Sequence, residues 1–191
     1  MKLVKKSICL VFCAFLILSL CSCASGRNTF DNAMNALKKS DYDTFSNCIA
    51  ERPSDFVSSV FTYRSVLTDE YAKAYDSIMD CFNYSYTEKD VKNGDTVILS
   101  VKVDHIDFDK LEKDIDADIL TSGESVTDEI KKIVENGDIK TKYGLTSEVR
   151  VKATKVGNEW LISLNDLENK NFKSIINPTS VLFWLYLYQI G

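Results

Sequence analysis

Residues 94–106 read GDTVILSVKVDHI, and this stretch decides the fold. Every second side chain from Val97 to Val103 is apolar, whereas Ser100, Lys102 and Asp104 alternate with them and are polar. Alternation of this kind predicts a β-strand over residues 96–106 with one buried face and one solvated face.

A second alternating stretch lies near the other end of the chain, over residues 149–154. Gly157-Asn158 has turn chemistry, and the apolar side chains at 160, 162 and 164 predict a returning strand. Before the first stretch, Tyr84 and Tyr86 alternate with polar residues and the sequence 93–95 also favours a turn. Two consecutive hairpins imply an antiparallel sheet with helices on its apolar face.

Helical spacing of apolar residues surrounds the two hairpins. It predicts helices over residues 30–37, 42–49 and 69–82, and a short helix after Pro53-Ser54. A helical insertion over 109–137 separates the hairpins, and Asp109 with Glu112 resembles a capping box at its start. The predicted fold class is therefore α+β, with a curved antiparallel sheet, packed N-terminal helices and a helical insertion between two hairpins.

The first 22 residues have the pattern of a secretory signal. Lys2, Lys5 and Lys6 precede an apolar run from Ile8 to Leu20, which is too short to span a bilayer. The sequence Leu20-Cys21-Ser22-Cys23 resembles the lipobox of bacterial lipoproteins, which implies a lipid on Cys23. An ordinary cleaved signal or a membrane anchor is the alternative.

This interpretation divides the chain into a signal peptide (1–22), a short tether (23–29) and one α+β domain (30–191). It implies a palmitate-bearing lipoprotein held at the extracytoplasmic face of the cell membrane. Removal of residues 1–22 takes away three lysines and no acid, so the net charge falls from −5 to −8. Such an acidic chain argues against binding to nucleic acid or to anionic lipid, because both require a basic surface.

Three stretches, 36–45, 94–101 and 151–162, resemble those of uncharacterised lipoproteins of Gram-positive bacteria that carry a domain like nuclear transport factor 2. The resemblance implies a helix-lined, cone-shaped sheet. That fold hosts isomerases, dehydratases, immunity proteins and dimerisation modules, so it does not specify a function.

His105 is the one histidine of the chain, and it follows Asp104 at the end of the predicted strand. Together they could act as a general base if they pointed into the cone, whereas a strand-end histidine without a function is the simpler interpretation. Asp114, Asp116 and Asp118 open like a calcium loop, but Ile119 and Ser125 stand where an EF-hand needs glycine and glutamate. We expect no metal and no cofactor.

Cys48 and Cys81 lie on apolar helical stripes. Outside the cytoplasm a disulfide between them is chemically allowed, and two buried thiols are the alternative.

The tail after Asn177-Pro178 is apolar on every face. Its aromatic residues could contact a partner or the membrane surface, or the tail could complete the core. The aromatic candidates are Phe183, Trp184, Tyr186 and Tyr188.

The sequence as a whole favours a binding module without chemistry of its own. Its partners would be the membrane, through the lipid on Cys23, and either a small apolar ligand or another envelope protein. The alternative is an enzyme of the isomerase or dehydratase kind, which would use His105 and a neighbouring aspartate inside the cone.

Overall fold

The structure, a computed structural model, describes residues 25–51, 66–122 and 139–176, together with positions 128, 132 and 135–137. Several sequence predictions fall outside the described residues. These are the signal segment with Cys23, the short helix near Phe56, the helix around Val126–Val134, and the apolar tail with Phe183, Trp184, Tyr186 and Tyr188.

In the part of the chain that the structure describes, three helices precede the sheet: α1 (Gly26–Lys38), α2 (Tyr42–Asn47) and α3 (Asp69–Asp80). Ser25 caps α1 by accepting a hydrogen bond from the backbone N–H of Asn28 at 3.1 Å. The helix therefore begins four residues before Phe30, and most of the predicted tether 23–29 is helical instead. The reason is tertiary, because Gly26 is buried against the sheet.

The sheet has five antiparallel strands, and it is curved and open. They are β1 (Asn83–Tyr86), β2 (Val91–Asn93), β3 (Thr96–Ile106), and, after the insertion, β4 (Gly144–Val156) and β5 (Glu159–Ile162). The order is β1-β3-β4-β5, and β2 pairs with the first part of β3. Both predicted hairpins and the α+β class are confirmed. The alternating pattern does not predict β2. β4 begins at Gly144, which is five residues before the alternation that starts at residue 149.

The insertion contains α4 (Phe108–Ser122) and α5 (Ile139–Tyr143). Leu111 and Ile115 are buried, as their spacing predicts. The predicted cap is wrong by two residues, because Asp107 rather than Asp109 accepts a hydrogen bond, from the Lys110 N–H at 3.0 Å. The strand ends at Ile106, so the first side chain after it reaches the unpaired helical N–H groups.

The core lies between the inner face of the sheet and the helices. The alternating side chains of β3 from Val97 to Val103 are at most 2% exposed. α1 runs across the strands, and a Cβ on Gly26 would overlap Val97 Cγ1. Phe30 of α1 meets Tyr84 at a ring-centroid distance of 5.2 Å and Phe172 at 5.3 Å. The apolar face predicted from residues 94–106 is therefore the floor of the core.

A short 3₁₀ helix (Leu167–Asn169) and α6 (Lys170–Ile175) follow β5. Asn169 is fully buried and holds this segment to the sheet. Its side chain accepts from the Lys152 N–H at 2.7 Å and donates to the carbonyls of Lys152 and Ser163 at 2.9 and 2.8 Å. Both N–H donors of this amide and one of the two lone pairs on its oxygen are therefore hydrogen-bonded.

Candidate functional site

An open cleft of about 610 Å³ lies where β3 ends and β4 begins. Its walls are the end of β3, the start of α4, the first half of β4, and α6. Leu145, Val149 and Ile175 supply apolar lining, and Asn171 and Ser174 of α6 supply polar groups. The cleft therefore lies on the inner side of the sheet, at the end furthest from the start of α1.

His105 points into this cleft. The pairing of β3 with β4 is regular from Thr96↔Thr154 to Ile106↔Gly144, so His105 keeps the parity of Val97 and Val103. Its Nε2 lies 2.8 Å from Ser147 Oγ, and its Nδ1 lies 3.2 Å from the Ile106 carbonyl oxygen. A carbonyl only accepts, so in the neutral imidazole Nδ1 carries the proton and Ser147 donates to Nε2.

Asp104 and His105 do not form a pair. Successive side chains of a strand point to opposite faces, so Asp104 lies on the outer face, where it accepts from Thr146 Oγ1 at 2.7 Å. The structure instead brings Ser147 to His105. Alternation traced back from Val149 would have placed Ser147 on the inner face, but nothing in the sequence shows that residue 147 is the diagonal neighbour of residue 105.

Acidic groups give the cleft its charge. Asp107, Asp109 and Glu148 are lining residues, although the regular register of β4 turns the Glu148 side chain to the outer face, and none of the described lining residues is a lysine or arginine. Asp107 holds the start of α4 through the Lys110 N–H, whereas Asp109 and Glu148 are exposed at the rim. The carboxylates of Asp107 and Asp109 at one concave surface concentrate negative potential there. The arrangement therefore favours a ligand that carries a positive charge.

The aspartates of the calcium-like pattern do not converge. Asp114 Oδ2 lies 3.4 Å from Lys110 Nζ and 3.3 Å from Lys142 Nζ, while Asp116 is exposed on α4. The side chain of Asp118 lies outside the described residues. Within the part of the chain that the structure describes, no group of three or more histidine, cysteine, aspartate or glutamate residues could hold a metal ion.

Cys48 and Cys81 are free thiols, and both are buried. Each Sγ donates back to the carbonyl four residues earlier, to Thr44 at 3.3 Å and to Ser77 at 3.4 Å. Burial raises the pKa of both thiols above its ordinary value. The disulfide that the sequence allows is not formed, and neither thiol has the lowered pKa of a nucleophile.

A second polar cluster joins α1 to β1. The hydroxyls of Tyr84 and Tyr86 both donate to Asp31 Oδ1, at 2.8 and 2.6 Å, and the Arg27 guanidinium lies 3.8 Å from the centre of the Tyr86 ring. Arg27 also pairs with Asp90 at 2.5 Å. Burial, and then the hydrogen bonds to Asp31, raise the pKa of both phenols. These groups bond to one another and hold the helix on the sheet edge, while Arg27 Nε is buried without a hydrogen-bond partner among the described residues.

Among the described residues, no helix combines the length and the apolar character needed to cross a bilayer. The proposed lipidation site Cys23 and the aromatic tail residues lie outside them.

No protein-family model matches the chain, and no curated protein matches it. Among solved structures, the chain is similar to a Bacillus subtilis protein described as "a putative lipoprotein (ycdA)", with 19% sequence identity and a TM-score of 0.35. The match covers 69% of this chain and 49% of that one, so it spans about half the length of the Bacillus subtilis protein.

Proposed function

We propose that this chain is a lipoprotein, anchored at the extracytoplasmic face of the membrane through a lipid on Cys23, and that its domain binds a cationic ligand in the cleft beside His105. The anchor is supported by Lys2, Lys5 and Lys6, the apolar run 8–20, and the lipobox-like sequence that ends at Cys23. The cleft, with Asp107 and Asp109 and with no lysine or arginine among its described lining residues, carries the binding proposal.

A lipid anchor on Cys23 would lie near the end of β3 opposite to the cleft. Cys23 precedes Gly26 by three residues, which reach at most ~10 Å, and Gly26 packs against Val97 at the start of the strand. His105 comes eight residues after Val97, which corresponds to about 26 Å along a strand. A lipid on Cys23 would therefore hold the cleft away from the bilayer surface. This position suits a ligand of the cell envelope better than a membrane lipid.

The composition of the cleft specifies the ligand further. Leu145, Val149 and Ile175 form an apolar wall, and the carboxylates of Asp107 and Asp109 lie beside it. An ammonium group next to a short apolar chain would satisfy both surfaces, because each part of the ligand meets its own kind of lining. The inner face of the sheet further along, from Val97 to Val103, is filled by the side chains of the domain itself.

Lipidation is tested by metabolic labelling with a fatty-acid analogue and by membrane fractionation. Cys23→Ser should abolish the label and release the protein from the membrane fraction. Cys21→Ser is the matched control, because it removes a cysteine two residues away and should leave both unchanged. A Cys23→Ser protein that keeps its label would refute the anchor.

The cleft is tested on the full-length lipidated protein in detergent micelles. Because His105 is the one histidine, its ring C–H resonances report on the cleft without ambiguity. Hexylammonium should shift them, whereas hexanoate, which has the same chain and the opposite charge, should not. Asp109→Asn should weaken the response, and Glu112→Gln, an exposed acid of α4 that does not line the cleft, should leave it intact. Equal responses to both probes would contradict the proposal.

A catalytic role is the second candidate, and the 2.8 Å contact between His105 and Ser147 is what favours it. In this geometry the imidazole could accept the proton of the serine hydroxyl. The neighbouring aspartate of such a site would be Asp107 or Asp109 instead of Asp104, which faces the other way. Complementation of a deletion strain by His105→Ala would exclude this role.

A further inference from the structure

Along the cleft, β4 has an edge with which no strand of the described residues pairs. β3 pairs with residues 144–154 of β4 on one side. On the other side, β5 pairs only with residues 153–156, and Asn169 bonds to the peptide groups of Lys152. Over the described ranges, no strand pairs with the outer edge of residues 144–150. This edge is about 20 Å long, at roughly 3.3 Å per residue.

The direction of the peptide groups follows from Lys152. Its N–H and C=O both bond to Asn169, on the side of β4 that faces away from β3. Peptide groups two residues apart point the same way along a strand, so those of Thr146, Glu148 and Arg150 also face outward. All three residues are exposed, and no described residue bonds to these outward-facing groups. The edge therefore offers three donors and three acceptors in one row.

We propose that this edge binds an extended segment of a partner protein, which adds to the sheet as an antiparallel strand and places basic side chains over the acidic cleft. The inference rests on the proposed cation-binding cleft and names the class of its ligand. Main-chain hydrogen bonds would supply affinity, and the side chains that point to the cleft would supply specificity. Antiparallel addition continues the arrangement of every other pair in the sheet.

Geometry decides which residues of the partner reach the cleft. Opposite residues of an antiparallel pair point to the same face. Thr146 and Glu148 direct their side chains to the outer face, so the partner residues that bond to them do the same. The alternate partner residues then lie on the inner face beside Leu145, Ser147 and Val149, which is the face that lines the cleft. Basic residues at those alternate positions would approach Asp107 and Asp109.

Charge favours a basic partner over a second copy of this chain. The chain carries a net charge of −5, and Asp107 and Asp109 face the cleft, where none of the described lining residues is a lysine or arginine. Two copies joined through this edge would bring these acidic surfaces together, which costs free energy. A basic segment would instead reduce the repulsion among the carboxylates.

The test uses the full-length lipidated protein in micelles and a blocked heptapeptide in which valine and lysine alternate, with valine at both ends. Two matched control peptides carry N-methyl groups, one on its internal valines and one on its lysines. In the proposed antiparallel arrangement the valines bond to β4. Methylation of the valines should therefore weaken binding by ~10-fold or more, through the loss of two or more hydrogen bonds, whereas methylation of the lysines should not.

Hydrogen exchange at the amides of Thr146, Glu148 and Arg150 gives the second readout. The unmodified peptide should slow exchange at these three amides, and hexylammonium should not. Binding of hexylammonium without binding of any peptide would overturn this inference and leave the cleft proposal standing. Failure of both would remove both proposals. The inference would also be overturned if methylation of the lysines weakened binding more than methylation of the valines. Concentration-dependent dimers that are seen in sedimentation and that bury these amides would overturn it as well.

Discussion

Asn169→Ala is predicted to destabilise the protein strongly. The substitution removes three hydrogen bonds and leaves the Lys152 N–H and the carbonyls of Lys152 and Ser163 without their partner. Each bond contributes about 1 kcal/mol net, and a buried polar group left unpaired costs on the order of 1–3 kcal/mol. Because Asn169 has no exposed surface, water cannot replace the amide without structural change. We expect a loss of about 3 kcal/mol in the free energy of unfolding.

The loss is measured by urea unfolding, followed by far-ultraviolet circular dichroism and tryptophan fluorescence. For a domain of this size it corresponds to roughly 6–12 °C in the melting temperature. Asn171→Ala is the matched control, because Asn171 is an exposed asparagine of the next helix. It should change the free energy of unfolding by no more than about 0.5 kcal/mol. A loss below about 1 kcal/mol for Asn169→Ala, or equal losses for the two variants, would refute the assignment of Asn169 as a buried clamp.

Three further predictions concern the core, an ion pair and the thiols. Gly26→Ala should lower the free energy of unfolding by about 1–3 kcal/mol, because its new Cβ overlaps Val97. Asn28→Ala, at an exposed position on the same helical turn, should have little effect. Equal stability of the two variants would contradict this prediction. Asp166 accepts from Lys152 Nζ at 2.7 Å, and this bond, followed by that from the Glu168 N–H, lowers its pKa. Because the pKa of Asp166 is lower in the folded state, this bond stabilises the fold above the unfolded-state pKa of about 3.9. The stabilisation is lost as the pH falls through the folded-state pKa. In urea titrations, Asp166→Asn should therefore be less sensitive to acid than wild type below pH ~4. An unchanged acid profile would show that the bond does not persist. Cys48 and Cys81 should resist a thiol-reactive dye until the protein unfolds, and dithiothreitol should not move the melting temperature; a fall on reduction would reveal a disulfide.

The strands could be predicted because their signal is local. Alternation between Val97 and Val103 encodes both the extended backbone and the face that is buried, and the turn chemistry at Gly157-Asn158 encodes the reversal. Gly157 has a φ of +63°, a conformation in which glycine avoids a Cβ clash. These properties depend on neighbours within a few residues, so one sequence contains them.

The boundaries were harder to predict because long-range contacts decide them. α1 extends back to Gly26 because the missing Cβ lets the helix approach Val97, 71 positions later in the chain. The start of β4 at Gly144 follows from pairing with Ile106, although residues 144–148 show no alternation of their own. The partner strand, rather than the local pattern, makes this segment extended.

The candidate site shows the same division. The sequence alone determined that His105 ends a strand, that acids surround it, and that the chain is acidic with a lipoprotein-like start. Only the tertiary structure separated Asp104 from His105, brought Ser147 within 2.8 Å, and left the edge of β4 without a partner strand among the described residues. The physical reason is that alternation sets the face of each side chain within one strand, whereas register, helix placement and the end of β5 set which faces and edges meet.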